Sequence, residues 1–251
     1  MFTSNPFADL TVFLPPLAMQ IYIVLMIFAV VIGTVLDMLH KSSAKFFALD
    51  LKKSRAVATR RLSATETASL AVRTIAKEVV TSGEFCNPKR RISHLLMFYG
   101  FLLYITTTVV MIFGYSAQAM TTPVLLPVLW HIGALMICIG GYWFFFFLRA
   151  NVVHDGQPMF RLVQADLFIV TLLGSVSFAL IWGIVQTAGN LTLTKIAFGL
   201  YIFFTTLLFG SVRWSKFAHM FFKPVVAFQR RVEETDGSSA LPTPTVHNEA
   251  R

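Results

Sequence analysis

The sequence predicts an all-α membrane protein whose chain crosses the bilayer five times. Hydrophobic residues make up 56% of the chain, more than the roughly 45–50% that is usual in soluble domains. They are concentrated in five stretches, each of a length that lets a helix cross the ~30 Å hydrocarbon core. These stretches are Leu17–Leu39, Ile92–Phe113, Leu125–Leu148, Leu162–Val185 and Leu193–Val212.

Basic residues predict the orientation of the five spans. Nearly all of the Lys and Arg residues lie in alternate connections, from Lys41 to Arg91, between Arg149 and Arg161, and from Arg213 onward. Because cytoplasmic connections carry the excess of positive charge, the N-terminus is expected outside and the C-terminus in the cytoplasm of a bacterial inner membrane. The net charge of +9 is then explained by topology and by anionic lipid, and nucleic acid is not expected as a partner.

The order of segments follows from these patterns. Residues 1–16 form an outer segment and residues 17–40 the first span, which ends without a signal-peptide cleavage site. Residues 41–91 form a basic cytoplasmic loop with an amphipathic helix at about 64–80, which begins with a capping box between Ser63 and Glu66. Residues 92–224 form a four-helix membrane module, in which the fifth span continues to Pro224. Residues 225–251 are expected to be a disordered cytoplasmic tail, since Glu233–Arg251 is rich in Ser, Thr, Pro and Gly.

Two features of these segments suggest contacts. Ala68, Val72, Ile75 and Val79 recur on one face of the loop helix, which would lie on the lipid surface or bind a soluble partner. On the third span, small residues form a seam that permits close helix packing. This seam comprises Gly133, Ala134, Cys138, Gly140 and Gly141. Cys138 and Cys86 are too few for an iron–sulfur cluster or a zinc site.

Two histidines occupy matching positions at the cytoplasmic ends of two spans. His94 follows Arg91 by three residues, and His219 follows Lys216 by three residues. If both spans are continuous helices, the two imidazoles lie at one depth and could be the axial iron ligands of one b-type haem. Arg213 and Lys216, with Arg91 and Arg149, could then bind the propionates. The alternative is that these histidines are simply hydrated at the headgroup level.

Other ionisable residues within the spans are further candidates. His131, near the outer start of the third span, could serve a second haem, but Tyr201 stands where its partner on the fifth span would be. A buried histidine packed at the interface is the alternative. Asp166 and Asp37 lie near cytoplasmic helix ends, where a carboxylate could relay protons to a quinone. Asp37 could instead pair with Lys41, and Asp166 with Arg149 or Arg161.

Two segments resemble a known family. The first combines Phe85-Cys86 with the run Arg90–Phe101, and the second is Ser215–His219. They resemble the membrane subunits of quinone-interacting oxidoreductase complexes of sulfur metabolism, which are similar to the membrane subunit of heterodisulfide reductase and to the nitrate reductase gamma subunit. The chain departs from that pattern at Tyr201 and lacks an iron–sulfur domain. A five-span version looks most like the membrane anchor subunit of dissimilatory adenylylsulfate reductase.

The resemblance implies a role in electron transfer. A soluble flavin and iron–sulfur reductase would dock on the cytoplasmic face, and electrons would pass between it and membrane quinone. By the same resemblance, His94 and His219 carry over as haem b ligands. The chain would then be a non-catalytic or quinone-reactive subunit of an oxidoreductase. A redox-inactive anchor without haem is the alternative, and a small transporter is disfavoured because no inverted repeat is visible.

Overall fold

A computed structural model describes residues 2–40, 43–83, 85, 87–116, 121–149, 156, 158–214 and 219–239. Every regular element among these residues is helical, which confirms the predicted all-α class. The chain divides into two compact units. The first, which we call the bundle, comprises Met1–Asp37 and Phe85–Ala218. The second, the peripheral unit, comprises Met38–Glu84 and His219–Arg251.

Eight α-helices are described, and five of them are long and apolar enough to cross a membrane. The five spanning helices confirm the predicted spans. The eight helices are α1 (Pro16–His40), α2 (Ser43–Val57), α3 (Ala64–Thr74), α4 (Pro88–Gly114), α5 (Leu125–Trp143), α6 (Leu167–Thr187), α7 (Leu191–Gly210) and α8 (His219–Asp236). Short π-helical segments extend α3 as Ile75–Val80 and α5 as Phe144–Leu148.

Glycines set the spacing between α4 and α5, the most closely packed helix pair of the bundle. A Cβ atom added at Gly133 would lie 2.8 Å from the carbonyl oxygen of Gly100, and one at Gly140 would lie 2.7 Å from that of Ser93. The Ser93 hydroxyl donates to the Gly140 carbonyl at 2.8 Å. The predicted small-residue seam is therefore confirmed. Gly141 faces Leu173 on α6.

The second span begins four residues earlier than the apolar stretch predicts. The side chain of Asn87 accepts from the backbone N–H groups of Lys89 and Arg90 at 2.9 and 3.4 Å. Pro88 occupies the first helical position, where its missing N–H costs nothing. Local capping, which hydropathy does not register, therefore extends the helix into the basic segment.

The fifth span ends at Gly210, so its predicted continuation to Pro224 is wrong. The N–H of Ser211 closes the last helical turn on the Leu207 carbonyl, and residues 211–214 form a turn. Val212 is fully buried, and its side chain lies against Gly33 of α1. The fifth span thus ends where the chain contacts α1, although the local sequence would allow the helix to continue.

The peripheral unit is a helical structure of its own. Helix α8 packs on α3 and its π-helical extension, and Arg231 of α8 pairs with Glu78 at 2.6 Å. The Ser54 hydroxyl of α2 donates to Glu233 of α8 at 2.6 Å. Residues 225–236 are therefore helical, and the expectation of disorder is wrong for them because partners far away in sequence hold them. Residues 240–251 lie outside the described part of the chain.

In the peripheral unit, the start of α3 and the end of α8 are capped by hydrogen bonds. Ser63 and Glu66 form the predicted capping box at the start of α3, and hydrogen bonds from Ser63 lower the pKa of the Glu66 carboxyl. At the end of α8, the Asp236 carbonyl accepts from the Thr59 N–H at 2.9 Å and from the Thr59 hydroxyl at 2.8 Å. These bonds satisfy a terminal carbonyl that lacks a partner within the helix.

Candidate functional site

The candidate residues lie at opposite ends of the bundle. At one end, which we call the N-terminal face, Asn5 binds the Tyr115 carbonyl at 3.0 Å, and Gln186 binds the Pro6 carbonyl at 3.1 Å. The other end, the loop face, carries the start of α4 and the segments around Arg149 and Trp214. The sequence predicts that the loop face is cytoplasmic.

A buried ion pair joins α5 to α6 at the loop face. Arg149 Nη1 lies 2.5 Å from Asp166 Oδ2, and the two side chains are 3% and 11% exposed. The guanidinium also donates from Nε to the Phe145 carbonyl at 2.8 Å, from Nη1 to the Arg161 carbonyl at 3.3 Å and from Nη2 to the Met159 carbonyl. All three guanidinium nitrogens are thus hydrogen-bonded.

This pair decides between two partners that the sequence left open for Asp166. Arg149 supplies the guanidinium, whereas Arg161 contributes its backbone carbonyl. The same carboxylate accepts from the Val163 N–H at 3.2 Å. The sequence had suggested that Arg149 could bind a haem propionate. Its guanidinium is instead bound to these partners, so it is not available for that role. The role of Asp166 as a proton relay for quinone remains a prediction.

His94 lies on the first turns of α4 in an aromatic setting. Its ring centre lies 5.0 Å from that of Phe85 and 6.4 Å from that of Phe98, and the His94 and Phe98 rings are nearly parallel. The imidazole is half-buried. The role of His94 as an axial haem ligand remains a prediction.

His219, the predicted partner of His94, does not lie on the fifth span as expected. His219 begins the described part of α8, a helix separate from the fifth span. The depth match between the two histidines assumed one continuous helix through residue 219, and that assumption is wrong. The His219 side chain lies outside the described part of the chain, as do Lys216 and Cys86. Arg213 is described, with its guanidinium 5.9 Å from the ring centre of Trp214.

Asp37 is buried near the loop-face end of α1, with 3% of its surface exposed. It stands one turn beyond Gly33, where an added Cβ atom would lie 2.9 Å from Val212 Cβ and 3.6 Å from the Arg213 backbone nitrogen. Asp37 therefore lies on the face of α1 that packs against the turn after α7, and it is integrated into the bundle.

His131 lies inside the bundle, in the half toward the N-terminal face. It is 1% exposed, and its Nδ1 lies 2.7 Å from the Pro127 carbonyl oxygen. Its ring meets Trp130 at 4.8 Å and Phe2 at 4.9 Å. Neither a second histidine nor any group of three metal-ligating side chains accompanies it among the described residues.

An aromatic cluster surrounds His131 that the sequence analysis did not identify. Trp130 and Trp182 are both fully buried, with ring centres 6.2 Å apart. Phe7, from the N-terminal segment, lies 5.8 Å from the first and 5.3 Å from the second. The sequence did contain a signal for this cluster, namely two tryptophans in the outer halves of neighbouring spans. An indole is costly to bury unless its N–H finds a hydrogen-bond partner.

The peripheral unit presents charged and apolar surface side by side. Its exposed Lys and Arg side chains, among those described, are Lys45, Lys52, Lys53, Arg55, Arg60, Arg61, Arg73, Lys77, Lys223 and Arg230. Val72 and Ile75, from the predicted apolar stripe, are 67% and 53% exposed. Within this unit α3 packs through a different face, which includes the buried Thr74.

Comparisons of this chain with protein-family profiles, with curated proteins and with solved structures found no match. The function of the chain is therefore inferred from its residues, their geometry and the short sequence resemblance.

Proposed function

We propose that this protein is the membrane anchor and electron-transfer subunit of an oxidoreductase in a bacterial inner membrane. It links a soluble cytoplasmic flavin and iron–sulfur reductase, of the adenylylsulfate reductase type, to the quinone pool. The observation that carries the proposal is the exposed basic surface of a separately folded peripheral unit, joined in one chain to a five-helix bundle. The resemblance of the segments around His94 and His219 supplies the type of enzyme.

Electrostatics explains how such a surface would select its partner. Between Lys41 and Arg91 the chain carries twelve basic residues against four acids. A field of one sign accelerates association with an acidic partner and weakens as salt screens it. The partner is accordingly expected to present an acidic surface.

Reversing charge on α2 should release the soluble enzyme. In a Lys52→Glu, Lys53→Glu double variant, we expect the affinity of co-expressed adenylylsulfate reductase for membranes to fall roughly tenfold or more at low salt. Both lysines are exposed, so the fold should be retained. Arg60 is a poorer choice, because its guanidinium binds the Thr235 carbonyl at 3.2 Å and Glu66 at 3.2 Å. The measurement is the fraction of reductase activity that sediments with membranes.

Lys195→Glu is the matched control. Lys195 is also exposed but lies on α7 near the N-terminal face, so its reversal should leave the sedimenting fraction unchanged. If the α2 double variant retains the full membrane-bound fraction at low salt, the docking surface is misassigned.

One b-type haem ligated by His94 and His219 is the second part of the proposal. It rests on the resemblance of the segments around the two histidines, because the depth match required the fifth span to continue to residue 219 and that helix ends at Gly210. Such a haem would supply one-electron chemistry between the soluble enzyme and quinone. The chain's own contribution would be to hold the ring among apolar side chains and to bring two neutral imidazoles to its faces.

The haem is tested by replacing its ligands. In His94→Ala or His219→Ala protein, we expect the low-spin alpha band of the dithionite-reduced minus oxidised spectrum to disappear, because one axial bond is lost. His131→Ala should leave the band intact, since His131 lies toward the opposite face of the bundle. A wild-type protein purified with its fold intact and without haem would favour the alternative function, a redox-inactive anchor.

A further inference from the structure

Six buried side-chain polar atoms of the bundle lack hydrogen-bond partners among the described residues, and two of them are Nε2 of His131 and Nε1 of Trp182. The others belong to Thr34, Arg90, Tyr104 and Ser211. The side chains of His131 and Trp182 belong to neighbouring helices, and they are 1% and 0% exposed. A Cβ atom added at Gly183, next to Trp182, would lie 3.5 Å from His131 Nε2. The imidazole nitrogen therefore points toward α6 at the level of Trp182.

The hydrogen bond at Nδ1 determines whether Nε2 of His131 is a donor or an acceptor. Its Nδ1 lies 2.7 Å from the Pro127 carbonyl oxygen, and a carbonyl oxygen can only accept. The proton is consequently on Nδ1, and Nε2 of the neutral ring presents a lone pair. Trp182 Nε1 can only donate. Together the two side chains offer one acceptor and one donor.

Leaving such groups unpaired inside a membrane protein is costly. An unsatisfied buried donor or acceptor costs about 1–3 kcal/mol, and polar residues within spans are commonly functional. Trp130, beside them, shows that the same environment can provide a partner: its Nε1 donates to the Thr108 hydroxyl at 2.9 Å. The missing partners of His131 and Trp182 are hydrogen bonds that a ligand could supply.

The surroundings define the shape of that ligand. The ring of Phe7 is edge-on to both Trp130 and Trp182, at 5.8 and 5.3 Å. Tyr201 also stacks on Trp182, at 5.7 Å. The position of Phe7 is thus an aromatic slot, and it is suited to a flat ring.

The chain's own N-terminal segment fills this slot. Phe7 is 3% exposed, whereas Phe2, which covers His131, is 50% exposed. The described side-chain hydrogen bonds from this segment to the bundle are made by Asn5, to the Tyr115 carbonyl and the Thr122 hydroxyl at 3.0 and 3.1 Å. Gln186 adds a bond to the Pro6 carbonyl. A competing ring would break these three hydrogen bonds and would take over the burial that Phe7 now provides.

We propose that residues 2–7 occlude a binding site for a quinol headgroup between α5 and α6. The quinol ring takes the position of Phe7, in contact with both tryptophans. One quinol hydroxyl donates to His131 Nε2, and a ring oxygen accepts from Trp182 Nε1. A quinone has no hydroxyl to donate, so the site prefers the reduced form. This inference rests on the proposed link to the quinone pool, and it assigns quinol binding to a defined place in the bundle.

The test measures binding of decylubiquinol under anaerobic conditions to the full chain in lipid nanodiscs, with empty nanodiscs as the blank. Phe7→Ala should tighten binding roughly tenfold, because the competing ring is removed. In the Phe7→Ala background, His131→Leu and Trp182→Phe should each weaken binding roughly tenfold, the value of one buried hydrogen bond. Decylubiquinone should respond to Trp182→Phe and hardly at all to His131→Leu.

Matched controls are His40→Leu, at the exposed end of α1, and Trp214→Phe, which is 59% exposed at the loop face. Neither should change the affinity, and the elution volume of each variant on size exclusion reports its fold. Decylubiquinol binding that is indifferent to His131, Trp182 and Phe7 would overturn this site while leaving the proposed function standing. A Phe7→Ala protein that binds no quinol would overturn the site as well. The proposed function fails separately, if the wild-type protein neither docks the reductase nor contains haem.

Discussion

Arg149→Met should destabilise the protein by about 3–5 kcal/mol, because it leaves the Asp166 carboxylate buried without its partner. The guanidinium it removes also donates to the carbonyl oxygens of Phe145, Arg161 and Met159. Asp166→Asn should cost less than Arg149→Met, because the guanidinium it leaves without a counter-charge still donates to those three carbonyl oxygens. The measurement is the free energy of unfolding in mixed micelles titrated with SDS.

The control for Arg149 is an ion pair of the same type at the surface. Arg230 and Glu234 lie 3.0 Å apart on α8, with side chains 60% and 42% exposed. Arg230→Met should change stability by no more than about 0.5 kcal/mol, as for other exposed pairs one turn apart. If Arg149→Met costs no more than Arg230→Met, the buried pair does not fasten α5 to α6.

Gly133→Ala should separate α4 from α5 and cost about 1–3 kcal/mol as an overpacking change. The added Cβ would lie 2.8 Å from both the Gly100 carbonyl oxygen and the Tyr104 backbone nitrogen. Backbone atoms cannot move aside as a flexible side chain can, so the helices themselves must shift. The same unfolding titration measures the loss.

Gly199→Ala separates this packing effect from helix propensity. Gly199 lies within α7, and a Cβ added there meets no described atom within 4 Å. Alanine should therefore be neutral or stabilise the protein by up to about 1 kcal/mol, the difference in helix propensity. Equal effects at Gly133 and Gly199 would contradict the close approach of α4 and α5.

The spans and the small-residue seam could be predicted because both depend on local sequence. A stretch of about 20 apolar residues is helical in a bilayer whatever its neighbours are, since the lipid offers its backbone no other hydrogen bonds. The capping box between Ser63 and Glu66 is equally local, because its bonds join residues three apart.

Parts of the candidate site could not be predicted, because they depend on contacts between distant residues. The equal depth of His94 and His219 was inferred from a helix that continues through residue 219, and the chain instead turns after Gly210. Asp166 had two possible arginine partners close by in sequence, and only the fold brings the guanidinium of Arg149 to it. The unpaired nitrogens of His131 and Trp182 likewise become visible only when the helices are packed.

The amino-acid sequence by itself determined that the chain spans a membrane five times, where α4 and α5 approach closely and where the cationic surface lies. Tertiary structure alone decided that the basic loop and the C-terminal segment form one helical unit. Arg231 and Glu78, and Ser54 and Glu233, are 153 and 179 residues apart in sequence. The physical reason is that hydropathy and capping act within a few residues, whereas an ion pair between distant segments forms only after the fold has brought them together.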